Sequence, residues 1–185
     1  MMRISVEPAT EADRPVLANL IQFYLYDFTG FKEWDVQEDG RFGDYGLEGC
    51  WTTDDRHPFL IRANGNLAGF AIVDGRSHLT GECGTRTFGD FFVLRRYQKR
   101  GIGEHAARVL FDRFRGRWEV CQLAANLGAQ AFWRTVINRY TDGRFEEVHW
   151  NDARWRGPVQ VFDNGPRPRT PAREDARSSP PEANR

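Results

Sequence analysis

Residues 3–8, RISVEP, alternate apolar and polar side chains, the period of a half-buried strand. Val16, Leu17, Leu20, Ile21, Tyr24 and Leu25 then recur at helical spacing. That pattern predicts a helix capped by Thr10 or Asp13, with Pro15 tolerated near its start, where a missing N–H costs little. The stretch from Asp27 to Trp51 mixes acids, glycines and aromatics without a period and reads as irregular or short helical structure, its plain alternative being a solvated loop. PFLIRANGNLAGFAIVDG, residues 58–75, is a hairpin whose Asn64-Gly65 pair supplies the positive φ values of a tight type I′ turn. TFGDFFVL, 87–94, is apolar on both faces and so belongs in the middle of a sheet. Ile102, Ala106, Val109, Leu110 and Phe114 mark a second helix, RWEVCQLA a strand, and Ala129, Phe132, Trp133, Val136, Ile137 and Tyr140 a third helix. FEEVHW and GPVQVF close the pattern as paired strands. The predicted fold is α/β: one domain over residues 1–163, with a central mixed sheet flanked by helices. From residue 164 to 185 the chain is rich in Pro, Arg and Ser and reads as a disordered tail.

The 185 residues carry 26 basic and 26 acidic side chains, so bulk charge names no partner, but its distribution does. Between Tyr24 and Asp55 nine acids face two bases; between Arg86 and Arg117 nine bases face three acids. One part of the chain suits a cation and the other an anion. Three scattered cysteines, Cys50, Cys83 and Cys121, make neither a disulfide framework nor a zinc site, so no metal is expected and a reducing, cytoplasmic setting is the default. The first residues carry Arg3, Glu7, Glu11 and Asp13 and show neither a secretory leader nor a membrane span.

The sharpest local signal is VLRRYQKRGIG, residues 93–103, which leads from the central strand straight into a helix. First-turn N–H groups have no partner within their own helix, and the helix dipole adds positive charge there. Gly101 and Gly103 let backbone donors approach an anion, and Arg95, Arg96, Lys99 and Arg100 surround them. This is a pyrophosphate cradle. It is no P-loop, since G-x-x-x-x-G-K-[ST] is absent, and the dinucleotide fingerprint has Ala106 at its third glycine and lacks the ribose-binding acid.

Val93, Tyr97, Gln98, Gly101, Ile102 and Gly103 match V-x-P-x-[YF]-[RQ]-x-x-G-[IVL]-[GA], with Arg95 in the proline place; Asn126, Ala129, Phe132 and Trp133 match N-x-x-A-x-x-[FL]-[YW] one strand later. In these motifs and in the order of its elements over residues 3–163, the chain resembles the GNAT superfamily of acetyl-CoA-dependent N-acetyltransferases. The resemblance implies acetyl-CoA as co-substrate, the backbone of Phe92, Val93 and Leu94 pairing with the pantetheine arm, and the amides of Gln98, Lys99, Arg100, Gly101, Ile102 and Gly103 holding the pyrophosphate. Asn126 would hydrogen-bond the pantetheine, although a plain helix cap would also account for it. Trp133 would pack against the cofactor, and Phe132 belongs to the core. Many members carry Tyr in the place of Trp133 as the acid that protonates the departing thiolate. An indole N–H cannot do so, which leaves Tyr140, Tyr97, water or no acid.

Attack on a thioester needs a neutral amine, and a base helps to make one. Asp90 interrupts an apolar run, and partial burial would raise its pKa; pairing with Arg86 or another arginine is the equal alternative. Glu82 is the second candidate, set in a surface loop; His57 and His78 are lone histidines able to relay a proton. The acidic, aromatic stretch falls where the family builds its acceptor wall, which makes Tyr26, Asp27, Asp35, Asp44 and Tyr45 candidate acceptor contacts. The whole-length pattern resembles a bacterial subgroup that includes kasugamycin 2′-N-acetyltransferases, so the leading expected acceptor is an aminoglycoside-type antibiotic. A polyamine, lysine or protein N-terminal acceptor remains open, as does a non-catalytic acyl-CoA sensor. The basic cluster is local and fits the phosphates of CoA, so no nucleic acid or membrane partner is expected, and the chain should act as a monomer or homodimer.

Overall fold

A computed structural model of the chain describes residues 2–166. Strand β1 (Ile4–Pro8) leads into helix α1 (Arg14–Phe28), and strands β2 (Arg56–Ala63), β3 (Asn66–Arg76) and β4 (Cys83–Val93) follow a long irregular segment. Helix α2 (Ile102–Arg113), strand β5 (Arg117–Cys121), helix α3 (Leu127–Thr141) and strands β6 (Glu146–Asn151) and β7 (Arg156–Asp163) complete the order read from the sequence. The strands form one seven-stranded sheet in the order β1-β2-β3-β4-β5-β7-β6, parallel at β4–β5 and antiparallel elsewhere. Asn64 and Gly65 take φ of 50° and 80°, the turn predicted between β2 and β3.

The two faces of the sheet are covered by different helices. Leu17, Leu20, Ile21 and Leu25 of α1 pack on Leu60, Phe70, Ile72 and Phe92. On the other face, α2 and α3 bring Leu110, Phe111, Trp133, Val136 and Ile137 against Phe59, Val73, Phe88 and Trp118. Among the described residues no helix is long and apolar enough to cross a membrane.

Two segments are better anchored than their composition predicts. The acidic stretch after α1 is irregular as expected and exposed throughout residues 31–41, yet its second half is pinned: Leu47 and Cys50 are buried, the Gln22 side chain holds the Phe42 N–H and Gly43 carbonyl, and Trp51 donates to the Ala9 carbonyl. Asn164, expected to begin the tail, instead docks its side chain between Phe111 O, Gly116 N and the Tyr140 hydroxyl. Residues 167–185 of the expected tail lie outside the described residues.

Candidate active site

β4 and β5 pair only where Thr85–Thr87 meet Arg117–Glu119, and then separate. Beyond that point residues 88–93 have no neighbour strand on one edge, and a cleft of about 780 Å³ opens between them and α3. Leu94 N–H donates to Ala68 O of β3 at 2.8 Å. Backbone groups alternate along an antiparallel strand, so Phe92 and Leu94 face β3, while Phe91 and Val93 face the cleft. Of the expected trio, Leu94 N–H is thus committed to β3, while Phe92 and Val93 both line the cleft. The Val93 carbonyl accepts the Gln98 side chain at 2.8 Å, so Val93 N–H is the donor presented at the strand's end.

The turn after β4 has the geometry that an anion needs. Lys99 and Gly101 adopt φ of 57° and 79°, so successive amides curl round one concavity at the start of α2. Lys99 holds a left-handed conformation that glycine adopts without strain, at a cost of order 1 kcal/mol. A Cβ on Gly101 would meet no neighbour, so its positive φ is what calls for glycine there. Gly103 differs: a Cβ would lie 3.1 Å from the Phe132 ring, so this glycine seats α2 against α3 rather than clearing a path for an anion. Arg95, Gln98, Lys99, Gly101 and Gly103 line the cleft; Arg100 is exposed outside it, and the Ile102 side chain is wholly buried in the core, contributing only backbone.

Across the cleft, Asn126 caps α3: its Oδ1 accepts from Ala129 N at 3.0 Å. The residue also lines the cleft, and its amide Nδ2 is left for a ligand. Trp133 is 6% exposed, stacked on Phe88 with 5.0 Å between ring centroids, and touches the cleft only at its wall. Phe132, expected in the core, is half-buried and lines the cleft as well.

A second cavity, about 640 Å³, opens beside the acidic segment and is lined by Tyr45, Arg56, Asp74, His78 and Asp90 among others. Asp90 sits just past a bulge at Gly89, in register with Ile72, on the face of the sheet that α1 covers. It is 2% exposed, accepts the Tyr45 hydroxyl at 2.8 Å, and stands 3.9 Å from Arg56; the Tyr24 ring lies nearby, with centroid distances of 6.5 Å to Tyr45 and 5.9 Å to Phe92. The expected arginine partner is therefore Arg56, not Arg86, whose guanidinium lies over Phe114. Burial pushes the Asp90 pKa up, against the opposing pull of both tyrosines and Arg56. Asp74 bonds His78 at 2.8 Å, and among the described residues Asp90 Oδ2, Asp74 Oδ1 and Arg56 Nε have no hydrogen-bond partner. These atoms are held instead by ion pairs, Arg56 Nε 3.4 Å from Asp74 Oδ1 and Arg56 Nη2 3.9 Å from Asp90 Oδ2, which leaves hydrogen-bonding capacity for a ligand or water.

The raised pKa has a consequence for stability. A carboxyl that holds its proton more tightly when folded stabilises the fold below its unfolded pKa and loses that contribution as pH rises through its folded value. Asp90→Asn should therefore melt higher than the parent at pH 8, by at least ~2 °C if the charge costs about 1 kcal/mol, with the gap closing towards pH 4. A parent that melts higher than the variant at pH 8 would show that Arg56 and the tyrosines more than offset the burial.

The other expected residues stand apart from this junction. Glu82 is exposed in the β3–β4 turn and lines neither cavity. Tyr140 donates its hydroxyl to Asp112 at 2.9 Å, beside Asn164, and does not line the cleft. His57 lies against Phe114. Tyr26 is 62% exposed, and Asp35 and Asp44 are exposed and line neither cavity. Asp27 does line the cleft, but its carboxylate is bound by Arg95 at 2.8 Å, so the acidic wall and the basic turn neutralise each other there. Tyr24, Arg56 and Asp74 were missed. Asp74 carried the signal that marked Asp90, a carboxylate breaking an apolar strand; Tyr24 was absorbed into the apolar face of its helix.

The acetyltransferase (GNAT) family model matches residues 18–136, well over half of the chain. No curated protein sequence matches it. Among solved structures, the ribosomal-protein-S18-alanine N-acetyltransferase of Escherichia coli superposes with a TM-score of 0.55 at 14% identity, over 90% of this chain and 97% of that one. A PaiA N-acetyltransferase from Thermoplasma acidophilum in complex with coenzyme A gives 0.57 at 11% identity, over 87% and 99%. An aminoglycoside acetyltransferase from an uncultured soil metagenomic sample, in complex with sisomicin, gives 0.56 at 15% identity, over 81% and 95%. These likenesses concern the fold. With its splayed central strands and glycine turn matched by the family model, the chain belongs to the acetyltransferase (GNAT) family.

Proposed function

We propose that the protein moves the acetyl group of acetyl-CoA to a primary amine, with the cofactor in the β4–β5 cleft and the amine in the cavity of Asp74 and Asp90. The observation that carries this is the position of Asp90: its carboxyl lines the amine cavity and holds Tyr45, whose ring lies 6.5 Å from that of Tyr24 on the cleft wall. In the cleft, the amides from Lys99 to Gly103 and the dipole of α2 suit the pyrophosphate. Phe91, Val93 and the Asn126 amide suit the peptide-like pantetheine arm. Val93 N–H is placed to polarise a thioester carbonyl. In the cavity, an incoming ammonium meets Asp74 and Asp90. Asp90 takes its proton, directly or through one water, and the neutral amine attacks. A raised pKa suits that task, because a stronger base takes the proton more readily.

The leading acceptor is an aminoglycoside-type antibiotic such as kasugamycin, and the activity one of resistance by acetylation. The buried carboxylates suit a compact polyamine sugar, Tyr45 on the cavity wall suits its rings, and a similar fold serves an aminoglycoside acetyltransferase bound to sisomicin. Free thiols and a need for acetyl-CoA fit a cytoplasmic setting.

Thiol release from acetyl-CoA across a panel of kasugamycin, other aminoglycosides, polyamines and peptides tests the acceptor. An aminoglycoside should give the highest kcat/KM, and Asp74→Asn should raise its KM about tenfold or more while Asp44→Asn leaves it within about twofold, since hydrogen bonds to buried charges are worth about 1.5–3 kcal/mol and exposed pairs ~0–1. Turnover confined to polyamines or peptides would reassign the acceptor. Equal KM values in the two variants would remove the amine from this cavity.

A further inference from the structure

We propose that the β4–β5 cleft is built for a CoA thioester whose apolar acyl chain is longer than acetyl, and that Phe28 and Phe31 set its length preference. Two aromatic walls flank the open edge of β4, one on each face of the sheet. On the α1 side, Phe92, Tyr24, Phe28 and Phe31 are linked ring to ring at 5.9, 4.5 and 6.1 Å. On the α3 side, Phe91, Trp133 and Phe132 are linked at 5.0 and 4.9 Å. All seven line the cleft. Tyr24, Phe28, Phe91 and Phe132 are only half-buried and Phe31 is 38% exposed, so both walls turn bare ring surface to the opening.

The other parts of the reaction leave these rings without a partner. The diphosphate takes the glycine turn. The pantetheine arm is an amide chain, and its polar groups take the backbone of Phe91 and Val93 and the Asn126 amide. The amine has no place there either, because both carboxylates that line the cleft are already paired, Asp27 with Arg95 at 2.8 Å and Glu104 with Arg139 at 2.9 Å. An acetyl group ends in a single methyl. The line of rings on the α1 side begins at Phe92, next to Val93, whose N–H would hold the thioester carbonyl, and it ends at the exposed Phe31. Tyr24 and Phe28 stand about 6 Å apart along the helix axis, a span that a methyl leaves open and a chain of roughly four to six carbons fills.

This inference rests on the acetyl-transfer proposal for where the cofactor lies, and equilibrium binding separates the two. Calorimetric titration with free CoA and with acetyl-, butyryl- and hexanoyl-CoA needs no acceptor. Each buried methylene strengthens binding roughly fourfold, so butyryl-CoA should bind at least ~10-fold more tightly than acetyl-CoA, and hexanoyl-CoA more tightly again. Succinyl-CoA, whose chain ends in a carboxylate, should bind more weakly than butyryl-CoA. Phe28→Ala should reduce the butyryl-to-acetyl affinity ratio to about threefold or less, because the chain then leaves its methylenes against water. Phe31→Ala changes a more exposed ring, keeps the test open should Phe28→Ala not fold, and should lower the hexanoyl-to-butyryl ratio. Affinity that stays flat or falls from acetyl to hexanoyl would overturn the acyl wall and leave acetyl transfer standing. So would a succinyl-CoA that binds as tightly as butyryl-CoA, or ratios unchanged in both variants. No affinity for free CoA or for any thioester would instead overturn the acetyl-transfer proposal beneath, and this inference with it.

Discussion

Asp90→Asn should lower kcat for a protonated amine acceptor by about 10²–10⁴-fold, the range of a positioned proton-transfer group, while acetyl-CoA affinity stays within about twofold. The substitution keeps the size and the acceptor oxygen that Tyr45 uses, so the loss is of the base alone. The parent enzyme should show an acid limb in kcat/KM, because the base works only when ionised. That limb should titrate above the ordinary aspartate value of 3.8, in the direction set by burial. In the variant the limb should vanish. Turnover near that of the parent, or an unchanged limb, would move the base elsewhere in the cavity, with His78 on Asp74 as the next group to test.

Gly101→Asp should weaken acetyl-CoA binding by at least ~100-fold, the equivalent of about 2.7 kcal/mol. It puts a carboxylate at the mouth of the amide concavity, where a diphosphate would sit. The backbone itself should survive. Asp tolerates φ near 79° better than most residues, and the added side chain meets no neighbour. Gly101→Asn is the control, with the same bulk and backbone demand but no charge, and it should bind more tightly than the Asp variant. Calorimetric titration that gives Asn and Asp equal affinities would mean that shape, not charge, explains the loss. Gly103→Glu is a poorer probe than the motif suggests, because any side chain there strikes Phe132 and loosens α2 from α3.

The order of elements was legible because each signal was local. The strand alternation of residues 3–8, the Asn64-Gly65 turn and the apolar spacing of α3 each depend on a few adjacent residues, and each appears where the pattern put it. The glycine turn was legible for the same reason, since a strand, a turn and a helix are contiguous. Pairings across the chain were not. Asp27 stood out as one acid among many until Arg95, 68 residues away, was found holding it. Tyr140 was one of the candidate acids left once Trp133 could not serve; its hydroxyl is turned to Asp112 on another helix. Tyr24 had the periodicity of a core residue and is largely that, packed on the α1 cluster while also lining the cleft. Whether strand backbone groups face the cleft depends on which residues of β4 bond β3, and a one-residue offset exchanges Phe92 for Phe91.

The claim that joins these residues is catalytic transfer at the junction of two cavities, and it differs from mere binding of an acyl-CoA. Acetyl-CoA labelled in its acetyl group, incubated with the protein and the best amine of the panel, measures it directly: free thiol by colorimetry and acetylated amine by mass spectrometry. One labelled acetyl-amine should appear for each thiol released, over many turnovers per protein molecule. Tight binding of acetyl-CoA with no acetylated amine from any aminoglycoside, polyamine or peptide would contradict the account and leave a protein that only senses the cofactor.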